Sequence, residues 1–379
     1  MSKKKVQKRS ADTSIYLPID TIFSIFTYLP VKSLLRFKSV SKPLKAIISD
    51  NEFKKIHHDR SKLLGRKKLL IQRPTGHFDF RDLESPELFL MEKLLFPLKR
   101  LQCAEVSCSC DGLVLLKDQN EYVLWNPSTR EYRILESCTY LNQLDGCPKA
   151  CGICYDSILD DYKVILICDS FYVIYSLNKG CWTKKTSFPC PMRLIPNCWS
   201  RGITTEGCVF WSLNSTAING RVDCTTSTII YYDVKSDEVE KLPMPKFVRE
   251  NCSFGLTTLK GRLSLYGGTY NTDRFYIWIM EQDGWNRLMN ICNLSSICVK
   301  LVYDIKPLWC SENGEILFRG KWKHQLLIYY PKRKQFITVS PPDFSADCRS
   351  PEPSICLESL CFPGHSIKEE ATHEENLSN

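Results

Sequence analysis

A chain of 379 residues has room for one small and one large domain, and its composition, 43% hydrophobic and 25% charged, is that of an ordinary globular protein. The net charge of +9 is concentrated: residues 1–68 hold 17 Lys and Arg against 5 Asp and Glu, while the remainder holds 34 against 37. That distribution argues against a nucleic-acid reader, which would carry its basic stripe on the main domain, and no apolar run is long enough to suggest a membrane span.

Residues 1–14 are basic and polar, without the apolar core of a secretory leader, and are expected to form a disordered tail. Beyond Leu17 and Pro18, the apolar side chains of Ile22, Ile25, Phe26 and Leu29 fall on one helical face. Pro30 cannot donate a backbone N–H, so this helix should stop by Leu29. Val31, Leu34, Leu35, Phe37 and Val40 predict a second helix. A third amphipathic stretch runs from Leu44 through Ile47, Ile48 and Phe53 to Ile56. So small a unit cannot bury all of these side chains, and part of its apolar face is expected to belong to a partner. On periodicity alone, a three-helix subdomain packed on its own body is the alternative.

Residues 57–68, with Lys54-Lys55 before them and Arg66-Lys67-Lys68 at their end, look like a basic linker. From residue 69 the texture changes to short β-rich runs divided by turns. An aromatic residue on a strand is followed seven positions later by an apolar one: Trp125 and Tyr132, Tyr175 and Trp182, Tyr232 and Val239, Trp278 and Trp285, Tyr329 and Phe336. Turn chemistry such as Asn126-Pro127-Ser128-Thr129 or Asp283-Gly284 lies between them, so each pair predicts a β-hairpin. Further strands are predicted upstream at Leu113–Leu116, Val164–Ile167, Val209–Leu213, Leu263–Tyr266 and Ile316–Phe318. A period near 50 residues with three or four strands per unit is the signature of a kelch-like propeller. Residues 69–105 should supply a poorly marked first blade, which Ile355–Phe362 returns to complete. The segment between Met280 and Trp285 is short, so a different register is expected in that hairpin. Residues 365–379 are acidic and polar, and a disordered tail is expected there.

The 20 cysteines read mainly as reduced, buried small hydrophobes. Cys151-x-x-Cys154, with Cys138 and Cys147 nearby, approaches the spacing of a zinc site but lacks a second close pair. The sequence contains no phosphate-cradling loop, nucleophile elbow or zinc-protease helix motif. No cofactor, metal site or catalytic residue is therefore expected.

The string Leu-Pro-Ile-Asp-Thr-Ile-Phe-Ser-Ile-Phe-Thr-Tyr-Leu-Pro-Val-Lys-Ser-Leu-Leu-Arg-Phe-Lys-Ser-Val-Ser-Lys, residues 17–42, resembles an F-box of the plant type. The body resembles the F-box-associated domain of plant F-box and F-box/kelch-repeat proteins. That likeness is carried by Cys110-Asp111-Gly112-Leu113-Val114, Asn126-Pro127-Ser128-Thr129-Arg130, Asp161-Tyr162-Lys163-Val164, Ile277-Trp278-Ile279-Met280, Lys306-Pro307-Leu308 and Glu358-Ser359-Leu360.

The resemblance implies an all-β protein with a small all-α N-terminal module: a three-helix F-box over 15–56, followed by a kelch-like β-propeller over 69–364. It further implies docking on the Skp-type adaptor, and through it the cullin, of an SCF ubiquitin ligase. Leu17, Pro18, Ile22, Ile25, Leu29, Pro30, Leu34, Val40 and Leu44 would face the adaptor. Leu44 stands where the family usually has Trp, which removes an aromatic anchor. The expected role is a non-catalytic substrate receptor in the cytoplasm or nucleus, with the propeller holding a protein substrate. The alternative is a propeller that binds a small ligand or acts as an enzyme, with a purely structural helical head.

Overall fold

The computed structural model describes residues 17–368 apart from 74–75, 86–87, 89, 99–103, 142–147, 169, 187–196, 217–221, 244, 246–251, 270–273, 293–304, 321–324, 340–352 and 365–366. The expected basic tail, 1–14, lies outside the described residues. So does most of the acidic tail, although Ile367–Lys368 within it pair antiparallel with Tyr132 and Glu131.

Four helices open the fold: α1 (Ile19–Phe26), α2 (Val31–Lys38), α3 (Lys42–Ser49) and α4 (Asn51–Leu63). Pro18 and Pro30 are the N-cap residues of α1 and α2, each with the extended backbone that a proline ring favours. The third expected helix is two. Asp50 leaves the helical region at φ −62° and ψ 137°, and its carboxylate accepts the Phe53 N–H at 2.9 Å, a side-chain cap that starts α4 afresh. The helix then runs on to Leu63, through most of the stretch expected to be linker.

Six antiparallel sheets follow. Blade 1 joins β1 (Lys67–Arg73), β2 (His77–Asp82) and β3 (Leu90–Leu95) to a strand from the far end of the chain. Blade 2 contains β4 (Glu105–Cys110), β5 (Leu113–Asp118), β6 (Glu121–Trp125) and β7 (Glu131–Ile134). Blade 3 is β8 (Ala150–Asp156), β9 (Asp161–Ile167), β10 (Tyr172–Ser176) and β11 (Cys181–Lys185). Blade 4 has β12 (Asn197–Trp199) and β13 (Ile203–Thr205) end to end along β14 (Cys208–Thr216), then β15 (Val222–Asp233) and β16 (Glu238–Leu242). Blade 5 is β17 (Cys252–Leu259), β18 (Arg262–Thr269), β19 (Arg274–Glu281) and β20 (Gly284–Cys292). Blade 6 is β21 (Lys306–Cys310), β22 (Ile316–Arg319), β23 (Leu326–Tyr330) and β24 (Gln335–Thr338). The returning strand is β25 (Ser354–Leu357), which pairs with β1, and β26 (Ile367–Lys368) lies on β7.

The innermost strands touch in the order β25, β4, β8, β13, β17, β21 and back to β25, so the ring closes. Each blade-to-blade interface has its own apolar core. Leu70 and Phe78 meet Val114 and Trp125 between blades 1 and 2. Ile165 and Tyr172 meet Trp211 and Tyr232 between blades 3 and 4, and Leu69 and Ile71 of blade 1 meet Leu317 and Leu326 of blade 6. Strand alternation lets one sheet serve two interfaces. It also separates the cysteine pair with zinc-like spacing: Cys151 packs toward blade 2 and Cys154 toward blade 4. Cys147 lies outside the described residues.

Four of the five repeated residue pairs are direct cross-strand partners: Trp125 with Tyr132, Tyr175 with Trp182, Tyr232 with Val239, and Tyr329 with Phe336. Blade 5 differs. A two-residue turn there joins Glu281 to Gly284, which sets Met280 opposite Trp285 and Trp278 opposite Arg287, and a bulge at Leu288 shifts the register only beyond that point. The two tryptophans still share one face and pack in the core between blades 4 and 5. The turn at Asn126 shows why its string reads so clearly. The Asn126 side-chain carbonyl accepts the N–H groups of Ser128 and Thr129, and Arg130 closes the loop at φ +62°.

Candidate functional site

Sequence pattern points to the helical head as the functional surface, and its placement depends on what fills its core. Phe26, Val31, Leu34, Ile48 and Phe53 are buried together, joined by Leu360 from beyond β25. Phe23 meets Phe53 edge-on at 5.2 Å between ring centroids. With that core filled, Leu17, Ile19, Ile25, Phe37 and Val40 are left facing solvent, Leu17 at 52% and Val40 at 69% exposure.

The nine residues expected to face the adaptor divide by burial. Leu17, Pro18, Ile25, Pro30 and Val40 are exposed, whereas Ile22, Leu29 and Leu44 are half-buried against the helical core. Leu34 is fully buried at 0% exposure, because it packs in the helical core with Ile48, Phe53 and Leu360. In this structure its side chain supports the surface from beneath. Leu44 also has a backbone role, donating its N–H to the Ser41 hydroxyl that caps α3. Sequence periodicity alone did not single out Ile19, which is 59% exposed at the start of α1.

The head is seated on the propeller by polar contacts that the sequence pattern did not reveal. The carbonyl groups of Tyr28 and Leu29, just after α1, accept from the Arg66 guanidinium, and Leu29 also accepts from His57 Nε2 at 2.9 Å. Burial holds the His57 imidazole below its ordinary pKa, outweighing the hydrogen bond to Leu29, and so favours the neutral ring. Cys361 donates its backbone N–H to the Ser359 hydroxyl, which lies 3.1 Å from His58 Nδ1. On its other side, His58 Nε2 faces the Asp111 carboxylate at 3.6 Å, and Lys62 Nζ reaches that carboxylate at 2.6 Å. Burial alone would raise the Asp111 pKa, but His58 and Lys62 bring it down to about 2. Lys55 adds an exposed pair with Asp160 at 2.6 Å, on the β8–β9 turn of blade 3.

At the propeller axis, a cavity of about 100 Å³ is lined by Ser107, Arg201, Thr204, Thr257 and Lys306, among others. It falls short of the roughly 300–1,000 Å³ typical of small-molecule sites. Among the described residues, no group of three or more His, Cys, Asp or Glu side chains is placed to hold a metal ion.

Comparison with known proteins matches both parts of the chain. Residues 16–56 match the F-box domain, and residues 81–356 match the F-box associated beta propeller domain. The F-box/kelch-repeat protein At3g23880 of Arabidopsis thaliana is 28% identical over 326 residues, covering 79% of this chain and 84% of that protein. The F-box protein CPR1 of Arabidopsis thaliana is 25% identical over 370 residues, covering 87% of each chain. Among solved structures, a luciferin-regenerating enzyme superposes with a TM-score of 0.40 at 9% identity, over 70% of this chain and 78% of its own. The propeller match spans well over half of the sequence and the helical head matches separately, so the chain belongs to the plant F-box proteins with an F-box-associated β-propeller domain.

Proposed function

We propose that this protein is the substrate-receptor subunit of an SCF-type ubiquitin ligase. In this reading the helical head docks on a Skp-type adaptor, and through it on the cullin. The propeller holds a protein substrate by loops on one of its faces, where scaffolds of one architecture differ most. The chain itself does no bond chemistry. Its contribution is proximity, because holding the substrate beside a charged conjugating enzyme raises the effective concentration of the acceptor lysine. The site of action would be the cytoplasm or the nucleus.

One observation carries this reading. The head packs Phe26, Val31, Leu34, Ile48 and Phe53 into a core together with Leu360, yet leaves Leu17, Ile19, Ile25, Phe37 and Val40 exposed. Exposed apolar groups on a folded module mark a surface for another protein. The test is co-purification of the full chain with a Skp-type adaptor. Leu17→Ala combined with Pro18→Ala should abolish recovery of the adaptor while the melting temperature stays near that of the parent protein. Equal recovery with the double variant would overturn the proposal.

A further inference from the structure

The first turn of α2 lacks the usual means of satisfying its backbone. Its N-cap residue is Pro30, whose side chain has no polar atom, and its first turn contains no acidic residue. Helix starts expose unpaired N–H groups and favour a negative charge nearby. The partner comes from 327 positions away: Glu358 Oε1 accepts the Val31 N–H at 2.7 Å, and Glu358 is only 6% exposed.

Glu358 belongs to the segment that continues β25, and that segment as a whole is held from two sides. The Glu358 N–H donates to the Arg66 carbonyl at 2.9 Å, next to the linker that enters β1. Leu360 is buried in the helical core, and Cys361 Sγ lies 3.5 Å from the Lys54 carbonyl of α4. On the propeller side, buried Asn126 donates to the carbonyl groups of Ser359 and Cys361 at 3.0 and 2.9 Å. Gly112 makes room for the segment, since a Cβ there would meet Ser359 Cβ at 2.5 Å and the Leu357 carbonyl at 2.9 Å. Its φ of +89° also suits glycine.

We propose that Glu358 is a positioning residue for the docking face: the strand that closes the propeller ring also caps and orients α2, so the head is fully formed only when the ring is closed. The consequence for adaptor docking rests on the function proposed above. The effect on α2 itself does not.

The test is amide hydrogen exchange on the full chain, comparing a peptide over Val31–Leu35 with a control peptide over Ile153–Ile167 in blade 3. Glu358→Ala should speed exchange in α2 about five-fold or more, the scale of a lost cap, with the control within two-fold of the parent. Glu358→Gln keeps an acceptor oxygen at the same reach, and Glu358→Asp keeps the charge but withdraws it by one methylene. Gln should therefore protect α2 better than Asp, and that order decides the matter should the Ala variant fail to fold. The proposal is overturned if Ala leaves α2 exchange within two-fold of the parent, if blade 3 loosens by the same factor, or if Asp protects better than Gln. Capture on an immobilised Skp-type adaptor should weaken in the same order. Failure of the parent chain to bind would sink the functional reading, while the exchange data would still judge the joint.

Discussion

Between the blades, each apolar sheet face meets another of the same kind, so the propeller interfaces are all built on one plan. The helical head has a single core of a few residues and completes it with Leu360, which belongs in sequence to the propeller. The ring is self-sufficient by repetition, whereas the head is finished by a loan. A module of some forty residues has too little interior to stand alone easily, and the contact with the propeller offsets that deficit.

The strongest test of this contrast is Trp211→Ala, which removes a fully buried side chain between blades 3 and 4. A cost of about 3–5 kcal/mol is expected for such a cavity, read as a lower denaturant midpoint for the whole propeller. Next comes Leu360→Ala, at about 2–5 kcal/mol. Its effect should be seen first in the helices, and helical signal lost before the β signal would confirm that the head depends on the loan. Simultaneous loss would erase the distinction between the two parts.

Acid should attack the same joint. The Asp111 carboxyl titrates near 2 in the folded protein against an ordinary value of 3.8. A depressed folded value stabilises the protein above the ordinary pKa, and the benefit fades as pH falls from about 4 through 2. Its size is on the order of 1–2 kcal/mol, discounted because Lys62 is half in solvent. Asp111→Asn should flatten that part of the stability profile, and an unchanged profile would remove Asp111 from the joint. Smallest of all, Leu17→Ala should change stability by less than about 0.5 kcal/mol, since its side chain is already largely in water.

The repeat was legible because hairpin geometry writes itself locally. A four-residue turn places residues seven apart directly opposite each other, and Trp125 with Tyr132 and Tyr329 with Phe336 obey that rule. The short turn at Asp283 broke the count, and the sequence signalled this by having too few residues there. The division of the third helix was harder to read. Asp50 is an ordinary polar residue within an amphipathic pattern, and only its backbone angles and its bond to Phe53 make it a cap.

The candidate surface was legible as a stripe but not in depth. Leu34 and Val40 look alike in the periodicity, yet one is interior and the other is 69% exposed, because α2 ends at Lys38 and leaves Val40 in the turn beyond it while Leu34 packs in the helical core. The joint left one signal that periodicity passes over: Glu358 is a lone charge in the apolar run Ile355–Phe362. A buried charge requires a partner. No local rule names a helix start 327 residues upstream as that partner.

The pairing of β1 with β25 also sets an order of events during synthesis. At roughly 5–20 residues per second, the ribosome takes on the order of 15–60 s to travel from the first strand to its mate. Through that interval the backbone of Lys67–Leu70 has no native neighbour on that side, the kind of open edge that invites pairing with a stranger. Lys67 and Lys68 stand at the start of that edge, with Arg73 at the end of the same strand. Their charges are the sort of guard that keeps a waiting strand from joining another nascent chain.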